Sequence, residues 1–169
     1  MDREERIELI LDHYEHPRRA GRVPDADVVA SAGNPGCGDI VTFSLHVDPV
    51  SERVLAIGLE GAGCTISQAG ASMVAELIAD KTLSEIEAVP HDAIIDIMGK
   101  DVAMTRPRCA TLGLNTVRLA VRQFRRQRLM REHGLEEPAT QGIVPLADEV
   151  EQEAFRRANP APPRAGDLT

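Results

Sequence analysis

Tryptophan is absent from this 169-residue chain, tyrosine occurs once and phenylalanine three times. So few aromatic rings argue against a surface that stacks nucleobases or grips sugars. Basic residues are short as well: 19 Lys and Arg against 27 Asp and Glu leave a formal charge of −8. No nucleic acid is expected as a partner of the surface as a whole. The three cysteines are an odd number for a disulfide framework, and no apolar run nears the roughly 18 residues that a membrane span needs. The opening Met1-Asp2-Arg3-Glu4-Glu5-Arg6 is too charged to begin a secretory signal. No membrane association and a cytoplasmic location are therefore expected, a setting in which thiols stay reduced. What remains is a balance of 43% hydrophobic and 27% charged residues, suited to one self-sufficient core.

Periodicity along the chain predicts an α+β fold. Ile7, Ile10, Leu11 and Tyr14 recur at helical spacing until His16-Pro17 stops the pattern. Val28 and Val29 suggest a short strand before the Gly33-Asn34-Pro35-Gly36 turn cluster. Val41, Phe43, Leu45 and Val47 then alternate as a strand with one buried face, and Val54, Ile57 and Leu59 continue into a third, closed by Gly61-Ala62-Gly63. Three such strands in a row predict a small antiparallel sheet.

From Thr65 the period becomes helical, with Ile66, Ala69, Met73, Val74, Leu77 and Ile78 on one face. Thr82-Leu83-Ser84-Glu85 has the pattern of a capping box, and Ile94, Ile95, Ile97 and Met98 mark a further short helix ending at Gly99. After Pro107 a long helix is expected, its apolar stripe formed by Leu114, Val117, Val121 and Phe124. Its other side carries Arg118, Arg122, Arg125, Arg126, Arg128 and Arg131, either a solvated face or a docking surface for an acidic partner. The architecture expected is a three-stranded antiparallel sheet packed against about five helices, with the C-terminal helix extended. Residues 134–169 change in composition: Leu146, Val150 and Ala154 suggest one weak acidic helix, and Pro160 to Thr169 is expected to be disordered. The domain division expected is 1–133 for the folded unit and 134–169 for an acidic, proline-containing extension, partly disordered.

No CxxC pair is present, so the spacing of Cys37, Cys64 and Cys109 is by itself a weak metal signal. Local context sharpens it. Cys64 and Cys109 fall at expected helix starts, where unpaired N–H groups and the helix dipole favour thiolate. Cys37 lies in Gly36-Cys37-Gly38-Asp39, which places a carboxylate two residues from the sulfur. Three thiolates and a carboxylate complete a four-coordinate set suited to zinc or an iron–sulfur cluster rather than magnesium or calcium. Free cysteines are also common as small buried hydrophobes, and that alternative stays open on spacing alone. The five histidines are scattered, and no catalytic triad or phosphate-binding glycine loop is evident.

Several segments are familiar when taken together: Leu11-Asp12-His13-Tyr14 with His16-Pro17-Arg18, Gly33-Asn34-Pro35-Gly36-Cys37-Gly38-Asp39, and Gly61-Ala62-Gly63-Cys64-Thr65-Ile66-Ser67-Gln68-Ala69 with Ala71-Ser72-Met73. From about Ile7 to Arg126 the chain closely resembles the NifU N-terminal, IscU and SufU family of iron–sulfur cluster assembly scaffolds. The resemblance implies that Cys37, Asp39, Cys64 and Cys109 surround one solvent-accessible site. It also implies a [2Fe–2S] cluster or zinc bound there, a PLP-dependent cysteine desulfurase as sulfur donor, and apo iron–sulfur proteins as recipients, with the protein a monomer or a homo-oligomer.

The subfamily features are mixed. Arg106-Pro107-Arg108-Cys109 resembles SufU, where a basic residue replaces the histidine that precedes the third cysteine in IscU. The spacing between the second and third cysteines is short, as in IscU, yet Val102 to Pro107 lacks the Leu-Pro-Pro-Val-Lys peptide that bacterial IscU presents to its chaperone. Arg106 and Arg108 are placed to offset the negative charge of the ligand set, or are simply solvated at a helix start. A carboxylate among thiolates is the harder, weaker ligand and favours release of a cluster; the alternative for Asp39 is a turn cap. Three readings follow: a scaffold for cluster assembly rather than an enzyme, with Cys109 the first persulfide acceptor by analogy with IscU; a zinc-dependent sulfurtransferase, with Cys37 the acceptor by analogy with SufU; or a structural zinc domain.

Overall fold

The computed structural model describes residues 1–135 and the backbone of 143–145. Helix α1 (Arg3–Glu15) opens on a capping box in which the Asp2 carboxylate accepts the Glu5 N–H and the Glu5 carboxylate accepts that of Asp2. Strands β1 (Val28–Asn34), β2 (Asp39–Val47) and β3 (Val54–Ala62) form the expected antiparallel meander. A fourth short strand, β4 (Ile143–Pro145), is added parallel to β1 opposite Ser31–Gly33, giving the order β3-β2-β1-β4. Helices α2 (Thr65–Leu77) and α6 (Pro107–Glu132) pack on the sheet, and α1, α3 (Leu83–Ala88), α4 (His91–Met98) and α5 (Lys100–Ala103) pack against these helices and one another. The weak helix expected around Leu146 to Ala154 and the terminal segment from Pro160 lie outside the described residues.

The alternation in β2 is realised: Val41, Phe43, Leu45 and Val47 are all buried. They meet Val28, Ala30 and Ala32 of β1 and the apolar stripe of α6, including Leu114, Val117 and Val121, in one continuous core. The capping box at Thr82 is present, with Glu85 N–H donating to the threonine hydroxyl. Helix α5 was not foreseen; it is one turn long and follows Gly99, whose φ of +88° breaks the helical path after α4.

Helix α1 turns a different face to the core than its apolar spacing predicts. Ile10 and His13 are buried, whereas Ile7, Leu11 and Tyr14 are exposed. Polar partners decide the rotation: His13 meets Ser72 and Glu76 on α2, and Arg6 donates to the Asp96 carbonyl of α4. The arginine side of α6 is divided in the same way. Arg118 donates to the Val89 carbonyl and contacts His91, while Arg125 and Arg128 both reach Glu52 in the turn before β3, and Arg125 also pairs with Glu87. Three of the six arginines therefore anchor the helix to its neighbours. Among the described residues no helix is long and apolar enough to cross a membrane.

Helices α2 and α6 cross at unusually close range because small residues line the contact. A Cβ on Gly70 would stand 2.8 Å from the Ala110 carbonyl oxygen, and one on Gly113 would stand 2.6 Å from Ala71 Cα. Only hydrogen fits at either position, so the two backbones touch just inside the N-termini that carry Cys64 and Cys109.

Candidate metal centre

The turn between β1 and β2 delivers the first two donors. Asn34 pairs with Asp39 across the hairpin, and its carbonyl accepts the N–H groups of Cys37 and Gly38 at 3.2 and 2.9 Å. Gly38 supplies the φ of +71° that this tight return requires. Cys37 is left exposed at the tip, and Asp39, the first residue of β2, is buried.

Cys64 is the N-cap of α2, and its N–H donates to Asp39 Oδ1 at 2.8 Å; its sulfur lies 3.6 Å from Asp39 Oδ2. Asp39 thus caps a helix and remains available as a donor at the same time. Gly63 makes room for it, since a Cβ there would collide with the Asp39 carboxylate. Cys109 sits in the first turn of α6, buried, with its sulfur 3.7 Å from that of Cys37. The ligand atoms of Cys37, Asp39 and Cys109 all lie within 4.8 Å of one another. Cys64 stands beside this trio, against Asp39.

Electrostatics modify the sequence argument for thiolates. Burial pushes the Cys109 thiol above its ordinary range, and hydrogen bonds with Asp39 and Cys37 and the fields of Cys64 and Asp39 push the same way. At this position desolvation and negative neighbours outweigh the helix dipole, so a cation is what would draw the proton off. Arg106 supplies nearby positive charge: it hydrogen-bonds Cys64 and lies in the field of all three cysteines, which raises its pKa further. Arg108 is exposed on the first turn of α6.

Two sulfurs and a carboxylate oxygen within 4.8 Å of one another, with a third sulfur adjoining, match the soft and borderline donor preferences of zinc and of iron in sulfide clusters. Of the four residues expected at the site, Cys37, Asp39 and Cys109 come together and Cys64 adjoins through Asp39; Asn34, whose side-chain amide donates to Cys109 Sγ at 3.5 Å, was not among them. The Asn-Pro step signals a turn and nothing more; the contact with Cys109 depends on how α6 docks.

The family model described as the NifU-like N-terminal domain matches residues 5–131. The chain belongs to this family. Among relatives of this NifU-like chain is the iron–sulfur cluster assembly scaffold protein IscU 1 of Archaeoglobus fulgidus, 30% identical over 118 residues, covering 70% of this chain and 75% of the relative. Another is the zinc-dependent sulfurtransferase SufU of Bacillus subtilis, 32% identical over 123 residues, covering 63% of this chain and 82% of the relative. A solved structure of a NifU-like protein (N-terminal) from Brucella abortus superposes with a TM-score of 0.63 over 75% of this chain and 99% of that one; at 21% identity the likeness is one of fold.

Proposed function

We propose that this NifU-like protein is a scaffold on which a [2Fe–2S] cluster is assembled and from which it is passed to apo iron–sulfur proteins. The observation that carries the reading is the meeting of Cys37, Asp39 and Cys109 within 4.8 Å, with Cys64 adjoining. The cluster is cargo, and the ligand set proposed for it is Cys37, Asp39, Cys64 and Cys109. Its sulfur comes from a PLP-dependent cysteine desulfurase. Exposure favours Cys37 over the buried Cys109 as first acceptor. Its thiolate attacks the outer sulfur of the desulfurase persulfide, forming a new S–S bond to Cys37 and returning the desulfurase cysteine as a thiol; conversion of that sulfur to cluster sulfide takes two further electrons, drawn from ferrous iron and an external thiol reductant. Asp39, the hardest of the four donors, is the natural point of release.

A second reading, a zinc-dependent sulfurtransferase, is favoured by the 32% identity to SufU and by Arg108 immediately before Cys109. Bound zinc would hold thiolates ready as nucleophiles at neutral pH. One experiment separates the two. The protein is purified without oxygen, its iron, zinc and acid-labile sulfide are measured, and desulfurase, cysteine and ferrous iron are added while transfer to an apo-ferredoxin is followed. Cluster formation and transfer are expected. Tight zinc with stimulated desulfurase turnover and no cluster would establish the sulfurtransferase instead, and zinc without sulfur traffic would leave a structural domain.

A further inference from the structure

Asn34 ends β1 and is 5% exposed. Its side-chain Oδ1 accepts the Gly36 N–H at 3.2 Å, which braces the turn that bears Cys37. Its Nδ2 is directed the other way, to the Cys109 sulfur 75 positions along the chain. An asparagine that only shapes a turn needs the oxygen alone and leaves its amide N–H groups to water. Here the amide is buried, and one planar group is bonded at once to the turn carrying one sulfur and to the sulfur carried by α6.

We propose that Asn34 is a positioning residue for the bound metal or cluster: its Nδ2–H···Sγ hydrogen bond fixes the Cys109 sulfur in the orientation that faces Cys37 and Asp39. The inference rests on the reading of Cys109 as a ligand. The physical argument is that of outer-sphere control in metal sites generally. A donor atom with free rotation about its side-chain torsion spends part of its time turned away, and a hydrogen bond from a rigid neighbour removes that freedom. Sulfur lone-pair density engaged by an N–H is also lowered in energy, which gives the contact a spectroscopic signature separate from any effect on folding.

The test uses the full chain loaded anaerobically with Co²⁺, whose sulfur-to-cobalt charge-transfer absorption reports the thiolate ligands. In Asn34→Ser the hydroxyl still accepts the Gly36 N–H but does not reach Cys109; Asn34→Ala removes both bonds. In both variants the charge-transfer band is expected at longer wavelength than in the unaltered protein, with Co²⁺ affinity lower by about 10- to 100-fold. A band at the original position in both variants, or displaced in the alanine variant alone, would overturn the role assigned to the amide N–H. Absence of any sulfur-to-cobalt band in the unaltered protein would instead overturn the ligand reading itself, and this inference with it.

Discussion

At the scale of the single residue, His13 illustrates how a polar side chain can decide a helix face. It is buried on α1, with Nδ1 2.8 Å from Ser72 Oγ and Nε2 3.6 Å from the Glu76 carboxylate. Burial and the nearby Arg18 lower its pKa below the ordinary 6.5, against the opposing pull of Glu76 and Asp12. The unfolded chain therefore takes up the proton first. Stability is fully present above about pH 6.5 and falls as pH drops through the lowered folded value. A melting temperature that declines between pH 7 and pH 5 is expected, with the decline flattened in His13→Asn, which retains a partner for Ser72; an unchanged slope in that variant would assign the effect elsewhere. His13 was legible only as part of a familiar segment on an amphipathic helix, because its partners lie on α2. The cysteines were legible because their chemistry belongs to the residue type. Asn34 and Gly63 were not, since an amide that meets a sulfur and a missing Cβ that admits a carboxylate matter only once distant segments are in contact.

At the scale of the element, β2 and the long helices could be read from period, as the alternation of Val41, Phe43, Leu45 and Val47 shows, whereas β1 rested on two adjacent valines and the turn residues after them. The four-residue α5 and the three-residue β4 could not, being shorter than the roughly 11-residue window that shows helical spacing and the roughly four residues that show strand alternation. The crossing of α2 on α6 was equally hidden, because glycine in a helix pattern looks like a weakness rather than a contact. Gly113→Ala would push its new methyl to 2.6 Å from Ala71 Cα. The helices must then part, at a cost of about 1–3 kcal/mol typical of overpacking. Denaturant unfolding should show that loss, and zinc affinity should fall with it, since the same crossing sets the spacing of Cys64 and Cys109. Retained affinity in a destabilised variant would separate the crossing from the site.

At the scale of the whole molecule, the proposed ligands come from a hairpin turn and two helix N-termini, so a bound ion ties three parts of the fold together. Binding to the folded form alone stabilises it by about 2.7 kcal/mol at a hundredfold excess over Kd. For a chain of this size that corresponds to a rise of roughly 5–10 °C in melting temperature. Calorimetry with and without zinc should show the rise in the unaltered protein and little of it in Cys109→Ser. A rise of equal size in the serine variant would mean that zinc binds elsewhere.

The separation of the donors along the polymer also orders events during biosynthesis. Cys37, Asp39 and Cys64 leave the ribosome well before Cys109, which arrives at the start of the long helix α6. A nascent chain in which α6 has not yet been made therefore holds at most three of the four proposed ligands.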